Sequence, residues 1–161
     1  LQMMSMVIEK PLNKLIIFLA TGFYAGYLPY APGTIGSLIG VGIFFIINSL
    51  FPVYYLGVLF LLFTLGVYLS DRAEALFAKE DPSQIIFDEI LGLLVAMALI
   101  PNGIGWIIAG FFLFRFFDIF KPYPIRDIEK RFNGGFGIML DDIAAGIYTN
   151  ILLQGVRLYV G

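Results

Sequence analysis

The chain has 161 residues, 60% of them hydrophobic and only 14% charged, with a formal net charge of −2. Its mean hydropathy of +0.90 excludes an ordinary soluble domain, which is about 45–50% apolar and about 25% charged, and the weak net charge excludes a basic surface for nucleic acid. The absence of Cys and His removes thiol nucleophiles, phosphohistidine intermediates, disulfides and soft-metal sites.

From Leu15 to Ser70 no side chain is charged, and a run of that length, in apolar blocks broken by Gly and Pro, reads as membrane-spanning. The expectation is one all-α integral-membrane domain over residues 1–161. It is a compact polytopic bundle of two short hairpins plus N-terminal and C-terminal helices, with polar loops and helix termini gathered on one side. The opening LQMMSM lacks a basic region and a small-residue cleavage site, so it is not expected to be a signal peptide. Leu1 and Gln2, ahead of the first Met, read as a cloning remnant.

In chain order, the first segment runs from about Lys14 to Tyr27 and carries Gly22 and Gly26, so it either crosses in part or lies at the interface. PGTIGS (32–37) then opens a second segment at about Ile35 to Leu50, and a third follows at about Tyr54 to Ser70. The mixed stretch DRAEALFAKEDPSQ (71–84) reads as a loop, and a fourth segment runs from near Pro82 to Ile100. PNG at 101–103 is a turn. The fifth segment, Ile104 to about Phe120, stops at Lys121 because Pro122 biases that residue away from helix. YPIRDIEKRF (123–132) reads as a short interfacial helix whose Arg126, Lys130 and Arg131 either collect anionic headgroups or form a solvated charged face. GGFG (134–137) precedes a last segment at about Ile138 to Tyr159.

This order puts the tips near Pro52 and Asn102 on one side of the membrane. Nine of the ten Lys and Arg residues fall on the other side, with Arg157 the exception, and the positive-inside rule makes that other side cytoplasmic. Asp88, Glu89, Asp118, Asp141 and Asp142 share the cytoplasmic level, and ionisable groups at membrane depth are costly and functional by default.

Five carboxylates with no His or Cys suit a hard cation, Mg²⁺, Mn²⁺ or Ca²⁺. Their mutual repulsion needs a divalent charge to offset it. The competing reading makes Asp141 and Asp142 helix caps, which does poorly with Asp88, Glu89 and Asp118, expected beyond a first turn. Around the acids, Gly33, Thr34 and Ser37 of PGTIGS, and Gly134 and Gly135 of GGFG, offer backbone N–H groups and hydroxyls to a phosphate. Plain turns, or glycines used for helix packing, are the alternative. Arg115, Asp118 and Lys121, spaced by three, share a face if the helix persists, so Lys121 and Arg115 either reach phosphate oxygens or snorkel to the interface.

GYLPYAPGTIGS, DPSQIIFDEILG and FRFFDIFKPYPIRDIEKRFNGGFGIMLDDIAAGIY, between about residues 20 and 150, resemble the three signature blocks of the phosphatidylglycerophosphatase A family. The resemblance implies a Mg²⁺-dependent phosphatase of the bacterial inner membrane that converts phosphatidylglycerophosphate to phosphatidylglycerol and inorganic phosphate. Its anionic phospholipid substrate would be met at the cytoplasmic face. The polar motif positions it carries over are Pro32, Gly33, Thr34, Gly36, Ser37, Asp88, Glu89, Arg115, Asp118, Lys121, Pro122, Gly134, Gly135, Gly137, Asp141 and Asp142. Tyr27 departs from the pattern, which has a small or polar residue there. Asp88, Glu89, Asp118, Asp141 and Asp142 are the expected metal ligands and, with Lys121, the expected catalytic groups. Attack by a metal-activated water with a carboxylate as base is the expected chemistry, and an aspartyl-phosphate is the alternative. A phosphatidyl-group transferase would resemble D-x-x-D-G-x-x-A-R, a run this chain lacks. A cation transporter or lipid-binding scaffold would need polar groups through the membrane, where the far halves of these helices are apolar.

Overall fold

The computed structural model describes residues 10–160, and the side chains of Glu129, Lys130 and Val160 lie outside what it describes. The opening LQMMSM and the headgroup role expected of Lys130 therefore fall outside the described residues. Within them the chain is all-helical: α1 Pro11–Ala20, α2 Pro32–Ile47, α3 Pro52–Phe77, α4 Phe87–Ala96, α5 Ile104–Phe120, α6 Ile125–Arg131 and α7 Gly134–Val160, with a single 3-10 turn at Ala25–Tyr27. Pro11, Pro32 and Pro52 each stand at a helix start, where the missing N–H costs nothing and the fixed φ is already helical.

Three boundaries differ from the expectation for identifiable reasons. The first segment ends at Ala20, because Gly22, Phe23 and Tyr24 all take positive φ and reverse the chain. Thr21, fully buried, fixes that bend: its hydroxyl donates to the Ile17 carbonyl at 2.7 Å and accepts from the Tyr24 N–H at 3.2 Å. The third segment runs on through DRAEALF to Phe77. The onset of charge marks where the helix leaves its apolar surroundings, and Ala, Glu, Leu and Arg are all good helix formers. The fourth segment is the reverse case, with a helix of only ten residues. Residues 82–86 are instead drawn inward: Ile86 is fully buried, and its N–H donates to the Ala20 carbonyl at 3.1 Å.

That short α4 is the centre of the fold. It packs against α7, α2, α3 and α5, whereas α2 and α3, adjacent in sequence, hardly touch. Of the two expected hairpins, the second packs as a pair, α4 on α5, and the first, α2 and α3, does not. Glycines allow α4 its close neighbours. A Cβ on Gly36 or Gly40 of α2 would stand 2.9 or 3.0 Å from the carbonyl oxygens of Ile86 and Ile90, and one on Gly146 of α7 would strike the Gly92 carbonyl.

Because α4 ends at Ala96, its last carbonyls need partners. The Ala96 carbonyl and those of the turn after it find partners on α7, where the Asn150 amide donates to the carbonyls of Ala96 and Ala98 at 3.0 and 2.8 Å, and Arg157 donates to that of Leu99 at 3.0 Å. From α3, the Tyr55 hydroxyl donates to the Leu94 carbonyl at 2.7 Å. Nearby, Asn102 donates to Asn48 at 3.0 Å, which puts the two tight turns at one end of the molecule.

The outer surface is apolar, with Phe60, Leu61, Phe112, Ile119 and Ile151 among its exposed side chains. Two helices, Pro52–Phe77 and Gly134–Tyr159, are long and apolar enough to cross a membrane.

Candidate active site

At the end opposite the Asn48–Asn102 contact, all five predicted acids meet around one cavity of about 200 Å³. Its wall also includes Pro32, Asp81, Ser83 and Lys121. Asp88 and Glu89 stand in the first turn of α4, Asp118 near the end of α5, and Asp141 and Asp142 about two turns into α7. This exchanges the positions expected from sequence. The pair read as possible caps, Asp141 and Asp142, lies beyond a first turn, and the pair expected beyond one, Asp88 and Glu89, lies within it. The inward draw of residues 82–86 delays the start of α4, and GGFG, expected as a loop, forms the first turn of α7.

The five acids divide by their partners. Asp118 is ion-paired with Arg115. Asp141 accepts from the Lys121 ammonium at 2.7 Å through Oδ2, and from the Asp142 N–H at 3.0 Å through Oδ1. Asp88 Oδ1, Glu89 Oε2 and Asp142 Oδ2 are buried without a hydrogen-bond partner. One oxygen from each of these three residues can be chosen so that all lie within 4.8 Å of one another. Carboxylate oxygens left without donors in a buried site are strongly disfavoured, and three converging oxygens form the donor set that a hard divalent cation takes. The residues present fit Mg²⁺ by that measure.

The expected phosphate-binding residues are placed differently. Pro32 lines the chamber, but Gly33, Thr34 and Ser37 belong to the first turns of α2 and do not. The Ser37 hydroxyl, fully buried, donates to the Gly33 carbonyl at 2.8 Å. Gly135 is pressed against α3, where a Cβ would meet the Val67 carbonyl and the Asp71 backbone. Gly134 and Gly137 line a second cavity of about 290 Å³ with Glu74, Glu80, Phe132 and Asn133, and this cavity shares Asp81, Ile138 and Asp141 with the chamber. Lys121 ends α5 with a φ of 43°, and its side chain turns into the chamber wall. Arg115 lines neither cavity.

Sequence reasoning missed Asp81 and Ser83, which face the chamber from what reads as a solvated loop. The available signal was their place in DPSQIIFDEILG, immediately ahead of Asp88 and Glu89.

A family model described as phosphatidylglycerophosphatase A matches residues 18–157. The chain belongs to the phosphatidylglycerophosphatase A family. It is 41% identical to the Haemophilus influenzae phosphatidylglycerophosphatase A over 164 residues, covering 94% of this chain and 98% of that one. A Bacteroides thetaiotaomicron protein named "Putative phosphatidylinositol-3-phosphatase" is 36% identical over 153 residues, covering 90% and 95%. The Escherichia coli phosphatidylglycerophosphatase A is 35% identical over 144 residues, covering 89% and 81%. No solved structure matches the chain. The acids of the chamber all fall within the part of the chain that the phosphatidylglycerophosphatase A model covers.

Proposed function

We propose that the acidic chamber is where this chain hydrolyses the terminal phosphomonoester of phosphatidylglycerophosphate, releasing phosphatidylglycerol and inorganic phosphate. The observation that carries the reading is the convergence of Asp88, Glu89 and Asp142, with buried oxygens that no group among the described residues satisfies. These three would hold Mg²⁺. When bound, the ion supplies charge neutralisation and Lewis-acid polarisation of a phosphoryl oxygen. Lys121, oriented by Asp141, presents a cation on the chamber wall for the oxygens of the transferred phosphoryl group. Asp141 lines both cavities, so it is placed to take the proton of a water approaching from the outer one.

The apolar surface and the two long helices support a multi-pass protein of the bacterial cytoplasmic membrane, with the chamber at its cytoplasmic face. Nine of ten basic residues then lie on that side by sequence. The headgroup would enter the chamber while the acyl chains stay in the bilayer. The test is phosphate release by purified protein in anionic vesicles, with and without added Mg²⁺, from phosphatidylglycerophosphate and from phosphatidylinositol 3-phosphate. Metal-dependent release from the first supports the assignment. Release from the second alone would overturn the substrate, and release from neither would overturn the function.

A further inference from the structure

Arg115 and Gly33 stand side by side in space although 82 positions apart in number, and the sequence reading gave both to the phosphate. Their surroundings give them a different task. A Cβ on Gly33 would strike Glu89 Oε1 and stand 2.9 and 3.0 Å from the two terminal nitrogens of Arg115. The space left by the missing side chain on α2 is therefore filled by a carboxylate from α4 and a guanidinium from α5. The same guanidinium is ion-paired with Asp118 one turn further along α5. Its Nε is buried with no hydrogen-bond partner, and the side chain lines neither cavity. A phosphate ligand should present its donors to the chamber, but this cation stands behind the acids.

We propose that Arg115 is a positioning residue for the cation site: anchored by its ion pair with Asp118 and seated in the gap left by Gly33, it stands beside Glu89 and keeps that carboxylate turned toward Asp88 and Asp142, and it does not contact the substrate phosphate. A planar fork suits this task because it can pair with Asp118 at one edge while its flat body fills the gap beside Glu89, which a Lys ammonium cannot. Groups that orient metal ligands typically carry about 10–100-fold of metal affinity. The inference rests on the proposed metal-dependent reaction, but its main readout does not.

The experiment compares wild type with Arg115→Lys, Arg115→Gln and Gly33→Ala in detergent, each first checked for monodispersity and unchanged helical circular dichroism. Mn²⁺ binding is read directly by electron paramagnetic resonance, and the lipid KM is measured at saturating Mg²⁺. Expected are an at least ~10-fold weaker Mn²⁺ affinity in both Arg115 variants, a loss in Gly33→Ala that leaves Arg115 itself intact, and a lipid KM within about twofold of wild type. Arg115→Lys, which keeps the charge, would restore function if charge alone mattered, so full rescue by it overturns the fork argument. Unchanged Mn²⁺ binding with a raised lipid KM makes Arg115 a phosphate ligand and overturns the proposal, as does a wild type that binds no Mn²⁺. If Arg115→Gln fails to fold, Gly33→Ala and Arg115→Lys still decide the matter. A wild type that binds Mn²⁺ but releases no phosphate defeats the proposed function and leaves the binding comparison in force.

Discussion

The two ends of the molecule treat buried polar groups in opposite ways. At the turn end, α4 stops short, and the carbonyls that the backbone does not meet there are answered by side chains: Asn150 for Ala96 and Ala98, Arg157 for Leu99, Tyr55 for Leu94. At the acidic end, oxygens of Asp88, Glu89 and Asp142 are buried and have no hydrogen-bond partner among the described residues. Polar groups of the first kind secure the structure. On the proposed reading, those of the second kind are retained at a cost in stability because a cation from outside completes them.

Several measurements can break or sharpen this contrast. The largest effect is expected from exhaustive chelation, which should abolish phosphate release and have no counterpart at the turn end. Full activity after chelation would remove the distinction altogether. Next, Asp88→Asn and Asp142→Asn should each lower turnover at least ~100-fold, equivalent to about 2.7 kcal/mol of transition-state stabilisation. Thermal melting of these variants without metal should be unchanged or raised, because an amide relieves repulsion within the cluster. Melting points that fall while turnover persists would show the acids to be structural.

The opposite signature is expected of Asn150→Leu. Hydrogen bonds between membrane helices are worth about 0.6 kcal/mol on average and up to about 1.7, so losing two should destabilise by roughly 1–3 kcal/mol, seen in melting, while turnover per folded molecule stays near wild type. Tyr55→Phe should repeat this on a smaller scale, at about 1 kcal/mol. Finally, single cysteines at Ser83 and Asn102, both exposed, test the orientation of the two ends. In oriented vesicles an impermeant thiol reagent should reach Asn102→Cys from the periplasmic side and Ser83→Cys from the cytoplasmic side. The reverse pattern would overturn the proposed sidedness.

Much of this was legible in the sequence because its signals are local. Gly and Pro placed the starts of α2 and α3 within three residues, at Ile35 for Pro32 and Tyr54 for Pro52, Lys121 before Pro122 marked the end of α5, and the acids stood out against an apolar background. What could not be read depends on contacts between distant segments. Nothing in PSQII says that Ile86 will bond back to Ala20 and delay α4, and that delay decides which acids occupy a first turn. PGTIGS and GGFG look alike as phosphate loops, yet Gly36 and Gly135 are pressed against neighbouring backbone, and Gly33 makes room for Glu89 and Arg115. A glycine required for close approach and one required for a loop leave the same letter in the sequence. Asn150 passed unnoticed in an apolar helix because its partners are 54 and 52 residues away.

The brevity of α4 also bears on how the protein is made. Ten residues rise only about 15 Å, roughly half of a hydrocarbon core of about 30 Å, so this segment is a poor candidate for independent insertion as it leaves the ribosome. The Leu94 carbonyl is met by Tyr55 of α3, made before it, but the Ala96 carbonyl is met by Asn150 of α7, made 54 residues later. Until α7 arrives, α4 has neither the length to span nor all of its partners. On the proposed membrane reading, assembly would be expected to complete its centre late: the helix that carries two of the chamber's acids is secured only once α7 has been made.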